Sequence, residues 1–209
     1  MKHPAQWSPE VLDVIAPLIL PGDHVHDPFA GTGHRLGALC DSIGAIYTGA
    51  DLENWEGHDP RVVVGNARDP LSYPDGRYLL VTSPVYVNKR LADYANGPTP
   101  NTKTKGRRDY ALSLGRPLHP DNFARWTGKP SKADTYWELH AEVAKLWPRR
   151  VIVNVDEPIG VRWCTLLHDA GYRVSDVRPA HTRRHRGLAN DQIRADCEVV
   201  ILAQREKSW

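Results

Sequence analysis

The sequence predicts an α/β protein: a mostly parallel sheet of seven strands, helices on both of its faces, and an antiparallel last strand. Three observations carry this. Short β-type segments alternate with segments of helical apolar spacing, which is the signature of strand–helix–strand units. Residues 78–82 (YLLVT) and 150–155 (RVIVNV) are near-continuous apolar runs, as strands covered on both faces are. Proline and glycine bracket the helical segments in the order that helix starts and stops require.

The elements follow in chain order. Residues 9–20 put Val11, Leu12, Val14, Ile15, Leu18 and Ile19 at helical spacing, with Ser8 as N-cap, Pro9 at the first position and Pro21-Gly22 as the stop. Residues 23–27 form a short strand, 28–33 a turn, and 34–43 a helix ended by Gly44. Residues 45–50, 62–64 and 78–82 are the next three strands. A helix over 134–146 carries Trp137, His140, Ala141 and Ala144 on one side. A strand at 150–155, a helix at 160–170 closed by Gly171, and strands at 172–177 and 197–203 complete the set. The final strand is expected to pair antiparallel with the one before it.

At 209 residues the chain is read as one domain with ample core. Hydrophobic residues at 41% and charged residues at 25% exclude wholesale disorder. No apolar run approaches the roughly 18 to 20 residues of a membrane span. Met1-Lys2-His3-Pro4 is not a basic-then-apolar leader, so a cytoplasmic protein is expected. Cys40, Cys164 and Cys197 are odd in number and scattered, which suits reduced thiols, with Cys40 in the core. The ten histidines lack metal-ligand spacing, and no metal is expected.

The formal net charge of +2 conceals a strong asymmetry. Residues 88–133 hold ten basic residues (Lys89, Arg90, Lys103, Lys105, Arg107, Arg108, Arg116, Arg125, Lys129, Lys132) against Asp93, Asp109 and Asp121, a local +7. The rest of the chain therefore carries −5. Five prolines and four glycines punctuate this stretch, which reads as a long basic loop inserted in the domain. A second cluster comprises His181, Arg183, Arg184, His185 and Arg186. One such run is usually a solvated surface; two in an otherwise acidic chain favour a polyanion-binding face.

The most informative segment is Asp27-Pro28-Phe29-Ala30-Gly31-Thr32-Gly33, between the first strand and the second helix, where open α/β sheets bind ligands. Gly31 and Gly33 permit positive φ and a close backbone approach, and the helix start exposes unpaired N–H groups. The spacing is neither a dinucleotide fingerprint nor a phosphate loop. Asp27 would repel a phosphate but suits a ligand ammonium. Asp51, followed by Leu52, ends the second strand, where a carboxylate accepts ribose hydroxyls. Gly65-Asn66-Ala67 follows the third strand as a polar turn able to read an adenine edge. Ammonium, ribose and adenine together describe S-adenosylmethionine. After the fourth strand, Thr82-Ser83-Pro84-Val85-Tyr86 offers a hydroxyl, a carbonyl and an aromatic ring to a planar amine.

Asp27–Gly33 together with Thr82–Tyr86 resembles the DNA amino-methyltransferases, whose motifs read Asp-Pro-Phe-x-Gly-Ser/Thr-Gly and Ser/Asp/Asn-Pro-Pro-Tyr/Phe. The resemblance implies a Rossmann-like class I methyltransferase fold, S-adenosyl-L-methionine as cofactor and S-adenosyl-L-homocysteine as product. It assigns the cofactor to Asp27, Pro28, Phe29, Ala30, Gly31, Thr32, Gly33, Asp51, Leu52, Asn66, Ala67 and Thr82. Ser83, Pro84 and Tyr86 become the catalytic residues. His3-Pro4, within His3–Pro9, is similar to the family's segment that closes over the cofactor's methionine part. The serine form of the catalytic motif favours N4 of cytosine over N6 of adenine. Val85 departs from the family's second proline, and Asn66 stands where an acid is common. The expected partner is double-stranded DNA, held by Lys89, Arg90, Lys103, Lys105, Arg107, Arg108, Arg116, Arg183, Arg184 and Arg186. Monomer and homodimer both remain open. The alternatives are an RNA or small-molecule amino-methyltransferase on the same fold, or a cofactor-binding protein without turnover. The small size resembles phage and prophage methylases of restriction-modification type.

Overall fold

Ser8 starts the first helix: its hydroxyl accepts the Val11 amide at 3.2 Å, and Pro9 sits in the first turn, where its missing N–H costs nothing. In the computed structural model, which describes residues 7–84, 119–122, 133–184 and 194–205, this helix α1 spans Pro9–Ile15. It tightens into a 3-10 turn at Ala16–Leu18, since Pro17 has no N–H to continue the α-helical ladder. The single helix expected over residues 9–20 is thus two pieces.

The remaining elements are β1 (His24–Asp27), α2 (His34–Ile43), β2 (Ile46–Asp51), β3 (Val62–Val64), a 3-10 turn (Pro70–Ser72) and β4 (Leu79–Thr82). Then come α3 (Ala133–Leu146), β5 (Arg150–Asp156), α4 (Glu157–Asp169), β6 (Tyr172–Arg184) and β7 (Arg194–Arg205). The seven strands form one sheet in the order β3-β2-β1-β4-β5-β7-β6. β1 to β5 are mutually parallel, and β7 inserts antiparallel between β5 and β6. The expected sheet is present, with two differences at its edges.

α4 begins at Glu157, earlier than residue 160, because Pro158 is accepted in a first turn as readily as any residue. β6 and β7 run well past their expected ends. Pro179 looks like a strand stop, but β6 is an edge strand, so an absent N–H on its outer side breaks no ladder. Pairing of β5 with β7 ends at Asp156–Glu198. β6 and β7 continue for four more pairs, to Arg184 opposite Arg194. β6 is parallel to β5, so this two-stranded arm projects beyond the carboxyl ends of the parallel strands. Four residue pairs correspond to about 13 Å.

Alternate strand residues feed two cores. Leu80, Val151, Val153 and Ile201 face α3 and α4, where Tyr136, Trp137, Val143, Trp147, Trp163 and Leu167 pack. Val81, Ile152 and Val200 face the other side, with Val11, Ile15, Leu36 and Cys40 from α1 and α2. This period-two split is the pleat of a sheet covered on both faces. The indoles of Trp147 and Trp163 stack with centroids 6.2 Å apart, and His140 meets Trp163 edge-on at 5.1 Å. Among the described residues no helix is long and apolar enough to cross a membrane.

Trp163 anchors the α3–α4 core, so Trp163→Ala should lower unfolding stability by about 3–5 kcal/mol. Urea denaturation followed by far-UV circular dichroism measures this; a loss under 1 kcal/mol would contradict the assigned packing.

Candidate active site

Strand order reverses direction between β1 and β4: β2 and β3 lie on one side of β1, β4 and β5 on the other. Helices leaving the sheet at such a point diverge and open a crevice beyond the strand ends. Asp27 ends β1 and Thr82 ends β4, so both reach the crevice by their place in the sheet.

Asp27 is 1% exposed. Its Oδ1 accepts the Thr82 hydroxyl at 2.7 Å and the Phe29 amide at 3.0 Å. Burial pushes its pKa up to about 7, the two donors pull against that, and the nearby Asp51 charge adds to the rise. The side chain of Trp7 also bonds to Asp27. Arg35, in the first turn of α2, donates to the Trp7 carbonyl. The end of the amino-terminal segment is thereby tied to the crevice.

The glycine turn is built by two kinds of demand. Gly31 and Gly33 adopt φ of +57° and +71°, a region that favours glycine. A Cβ on Gly33 would stand 2.5 Å from Val62 and 3.0 Å from the Tyr47 hydroxyl. The space beside Gly33 is therefore filled by β2 and β3 of the same chain, whereas the sequence suggested room for a ligand. Gly49 makes a similar allowance: its Cβ would lie 2.8 Å from that of Ala30, which crosses directly over β2. Pro28, Ala30 and Thr32 are buried, and Phe29 is half-buried and stacks with His140 at 5.8 Å. Burial holds His140 neutral, with its pKa near 4.

Asp51 braces this turn. Its Oδ2 accepts the Gly31 amide at 2.8 Å, and its Oδ1 accepts the Glu53 amide at 2.9 Å and the Trp55 indole N–H at 3.1 Å. A carboxylate has about four acceptor sites. Three are used by the chain, which leaves Oδ2 able to take a further donor. Burial pushes its pKa up to about 6. Leu52, next along, is half-buried. Neither Trp55 nor the buried Glu53 stood out in the sequence, although Glu53 lies two residues past Asp51. Glu53 Oε1 accepts the His119 amide at 2.6 Å and the Asn122 side chain at 3.0 Å. Residues 119–122, from the basic stretch, are held against this corner.

Asn66 uses its amide oxygen locally, accepting the Arg68 amide at 3.0 Å. Its Nδ2 group is the part with donors to offer an adenine ring nitrogen, a different role from accepting the exocyclic amine. Ala67 is buried in the same cluster as Leu80. Ser83 is half-buried and Pro84 buried, one and two residues beyond Thr82. Arg183 and Arg184 lie on the projecting arm, with Arg194 directly opposite Arg184. His3, Pro4, Tyr86, Lys89, Arg90, Lys103, Lys105, Arg107, Arg108, Arg116 and Arg186 lie outside the described residues.

No family model and no curated protein matches the sequence. Solved structures do match. A candidate RNA methyltransferase from Pyrococcus horikoshii superposes with a TM-score of 0.54 at 12% identity, over 94% of this chain and 81% of that one. A Burkholderia thailandensis 1,6-didemethyltoxoflavin N1-methyltransferase, solved with S-adenosylhomocysteine, gives 0.50 at 16% identity over 95% and 77%. The fold is that of the class I S-adenosylmethionine-dependent methyltransferases. TrmN of Thermus thermophilus also matches, with a TM-score of 0.47 and 15% identity over 94% of this chain; the chain spans 48% of that protein's length.

Asp27 is charged at a cost in the ligand-free protein. A carboxyl whose folded pKa is raised stabilises the fold below its unfolded value near 4, and that contribution is lost as pH rises through about 7. Asp27→Asn should therefore make the ligand-free protein more stable than wild type at pH 8, by up to about 4 kcal/mol, with a gain of at most about 1 kcal/mol at pH 4.5. Urea melts of both proteins at the two pH values test this, and equal differences at both would contradict it. His26, whose pKa burial lowers to about 4, acts in both proteins alike and cancels in the comparison.

Proposed function

We propose that this chain transfers a methyl group from S-adenosylmethionine to an exocyclic amine of a DNA base, N4 of cytosine in preference to N6 of adenine. The observation that carries this is the pairing of the two motifs across the switch point. Asp27, buried and ready for a cation, is hydrogen-bonded to the residue that immediately precedes Ser83-Pro84. A cationic group and a reacting amine would thus meet at adjacent strand ends.

The residues present fit S-adenosylmethionine. The buried Asp27 carboxylate, perched near neutrality by desolvation, is completed by an ammonium group. The remaining lone pair of Asp51 suits a ribose hydroxyl. Bound there, the cofactor would supply an activated methyl group on sulfur, to be accepted by the amine nitrogen. Ser83 and the Pro84 carbonyl hold the amine's hydrogens and aim its lone pair, so catalysis is by positioning. Tyr86 stacks on a base taken out of the duplex, at a cost of a few kcal/mol. No protein nucleophile is required.

Charge placement supports a polyanion as substrate. The +7 stretch begins five residues after Ser83, and its residues 119–122 return to the Asp51 corner. The β6–β7 arm stands on the ligand side, two strand spacings from β4, or about 10 Å. The register sets Arg184 of β6 opposite Arg194 of β7, so two basic residues end this arm.

Incubation with labelled cofactor and varied DNA and RNA, followed by nucleoside mass spectrometry, should yield N4-methylcytosine in DNA. Methylated RNA alone, or bound cofactor without any transfer, would replace this reading. Asp27→Ala and Ser83→Ala should each abolish transfer in folded protein; full activity in both would overturn the site. Reversing Arg107, Arg108 and Arg116 to Glu should weaken DNA binding and flatten its salt dependence, and unchanged binding would move the DNA surface elsewhere.

A further inference from the structure

Thr82 is completely buried and stands between the two halves of the site. Its backbone belongs to β4, paired with Val153 of β5, and the next residue is Ser83. Its hydroxyl donates to Asp27 Oδ1 across the β1–β4 boundary at 2.7 Å, over 55 residues of sequence. A β-branched side chain, restricted at χ1, is a stiff mount for such a donor. The bond leaves Asp27 Oδ2 as the oxygen free of both Thr82 and Phe29.

We propose that Thr82 is a positioning residue that holds Asp27 oriented and ionised for the cofactor's ammonium, and couples that carboxylate to the Ser83-Pro84 turn. This rests on the reading of the crevice as an S-adenosylmethionine site and adds to it a role for a residue that does not itself touch the methyl group. A hydroxyl donor to a carboxylate favours its charged form, and loses most of its value when the carboxyl is protonated. The other groups facing Asp27 give no comparable help. Asp51, at the end of β2, opposes ionisation. The phenols of Tyr47 on β2 and Tyr73 before β4 are held neutral by burial, with their pKa values raised. Phe29 contributes a backbone amide and Trp7 an indole side chain, both weaker than Thr82 in their pull. Thr82 is thus the strongest group offsetting burial at the carboxylate on which cation binding depends.

The test uses S-adenosylhomocysteine, which carries the same ammonium, with the full chain in isothermal titration calorimetry from pH 5.5 to 9. Wild type should bind more tightly as pH rises through about 7, where Asp27 ionises. Thr82→Val keeps the shape and removes the donor; binding at pH 7 should weaken about tenfold or more, and the midpoint should move up by about one pH unit. Thr82→Ser should restore both. The Ser and Ala variants differ only in the hydroxyl and make the same comparison if valine is not tolerated in the strand. A 13C-carboxyl titration of Asp27 in the ligand-free protein should show the same upward movement without any cofactor. Wild type that binds S-adenosylhomocysteine, with an unmoved midpoint in both the Val and Ala variants, would overturn the role of Thr82 alone. Wild type that binds none at any pH would overturn the cofactor reading, while the carboxyl titration still decides what Thr82 does to Asp27.

Discussion

The hydrogen bond from Thr82 to Asp27 closes the gap between the two strands at which the sheet changes direction. Elsewhere in the sheet, neighbouring strands are joined by ladders along their length. β1 and β4 are short, with paired register at Val25–Leu79 and His26–Leu80, and at their ends the Thr82 hydroxyl bridges to Asp27. Placing a carboxylate there without water demands donors, because an unpaired buried charge costs several kcal/mol. The Phe29 amide, the Thr82 hydroxyl and the Trp7 side chain meet part of that demand, and burial still pushes the pKa of Asp27 up to about 7.

The neighbouring carboxylate works differently. Asp51 is braced by three chain donors, and it serves the fold first by holding Gly31 in its positive-φ conformation. Two acids in one crevice thus differ in how they are held, Asp51 mainly by its own loop and Asp27 by donors from three separate parts of the chain. The basic stretch returns to the body on Glu53, next to this brace. Charge of opposite sign is separated along the chain: Asp27 and Asp51 sit at the strand ends, and the basic residues concentrate in the sequence after Pro84 and near the junction of β6 and β7.

Much of this was legible in the residues. Helix–strand alternation, the buried runs of β4 and β5 and the glycine turn placed the sheet and its crevice, because strand periodicity and positive-φ glycines are local demands. The resemblance carried by Asp27–Gly33 and Thr82–Tyr86 pointed to the same class of fold that the solved structures show. What escaped was non-local. Pro179 stops a central strand but not an edge strand, and nothing nearby in sequence tells which β6 is. Gly33 and Gly49 were needed for Val62, Tyr47 and Ala30, contacts made between strands. Trp55 and Glu53 acquire roles only through what folds against them.

The sequence by itself determined the alternation of strands and helices, the acid at the end of the first strand, and a charge distribution concentrated in two basic segments. These depend on residue type and short-range spacing, which propensity and sterics translate directly into local structure. Tertiary structure alone decided which oxygen of Asp27 accepts the Thr82 hydroxyl, that burial shifts its ionisation, and that Arg184 pairs in register with Arg194 on an arm beyond the carboxyl ends of the parallel strands. Those properties come from desolvation and from pairing across 10 to 55 residues of chain. No local pattern encodes them, since the low-dielectric surroundings that set them exist only once the sheet has closed over its two cores.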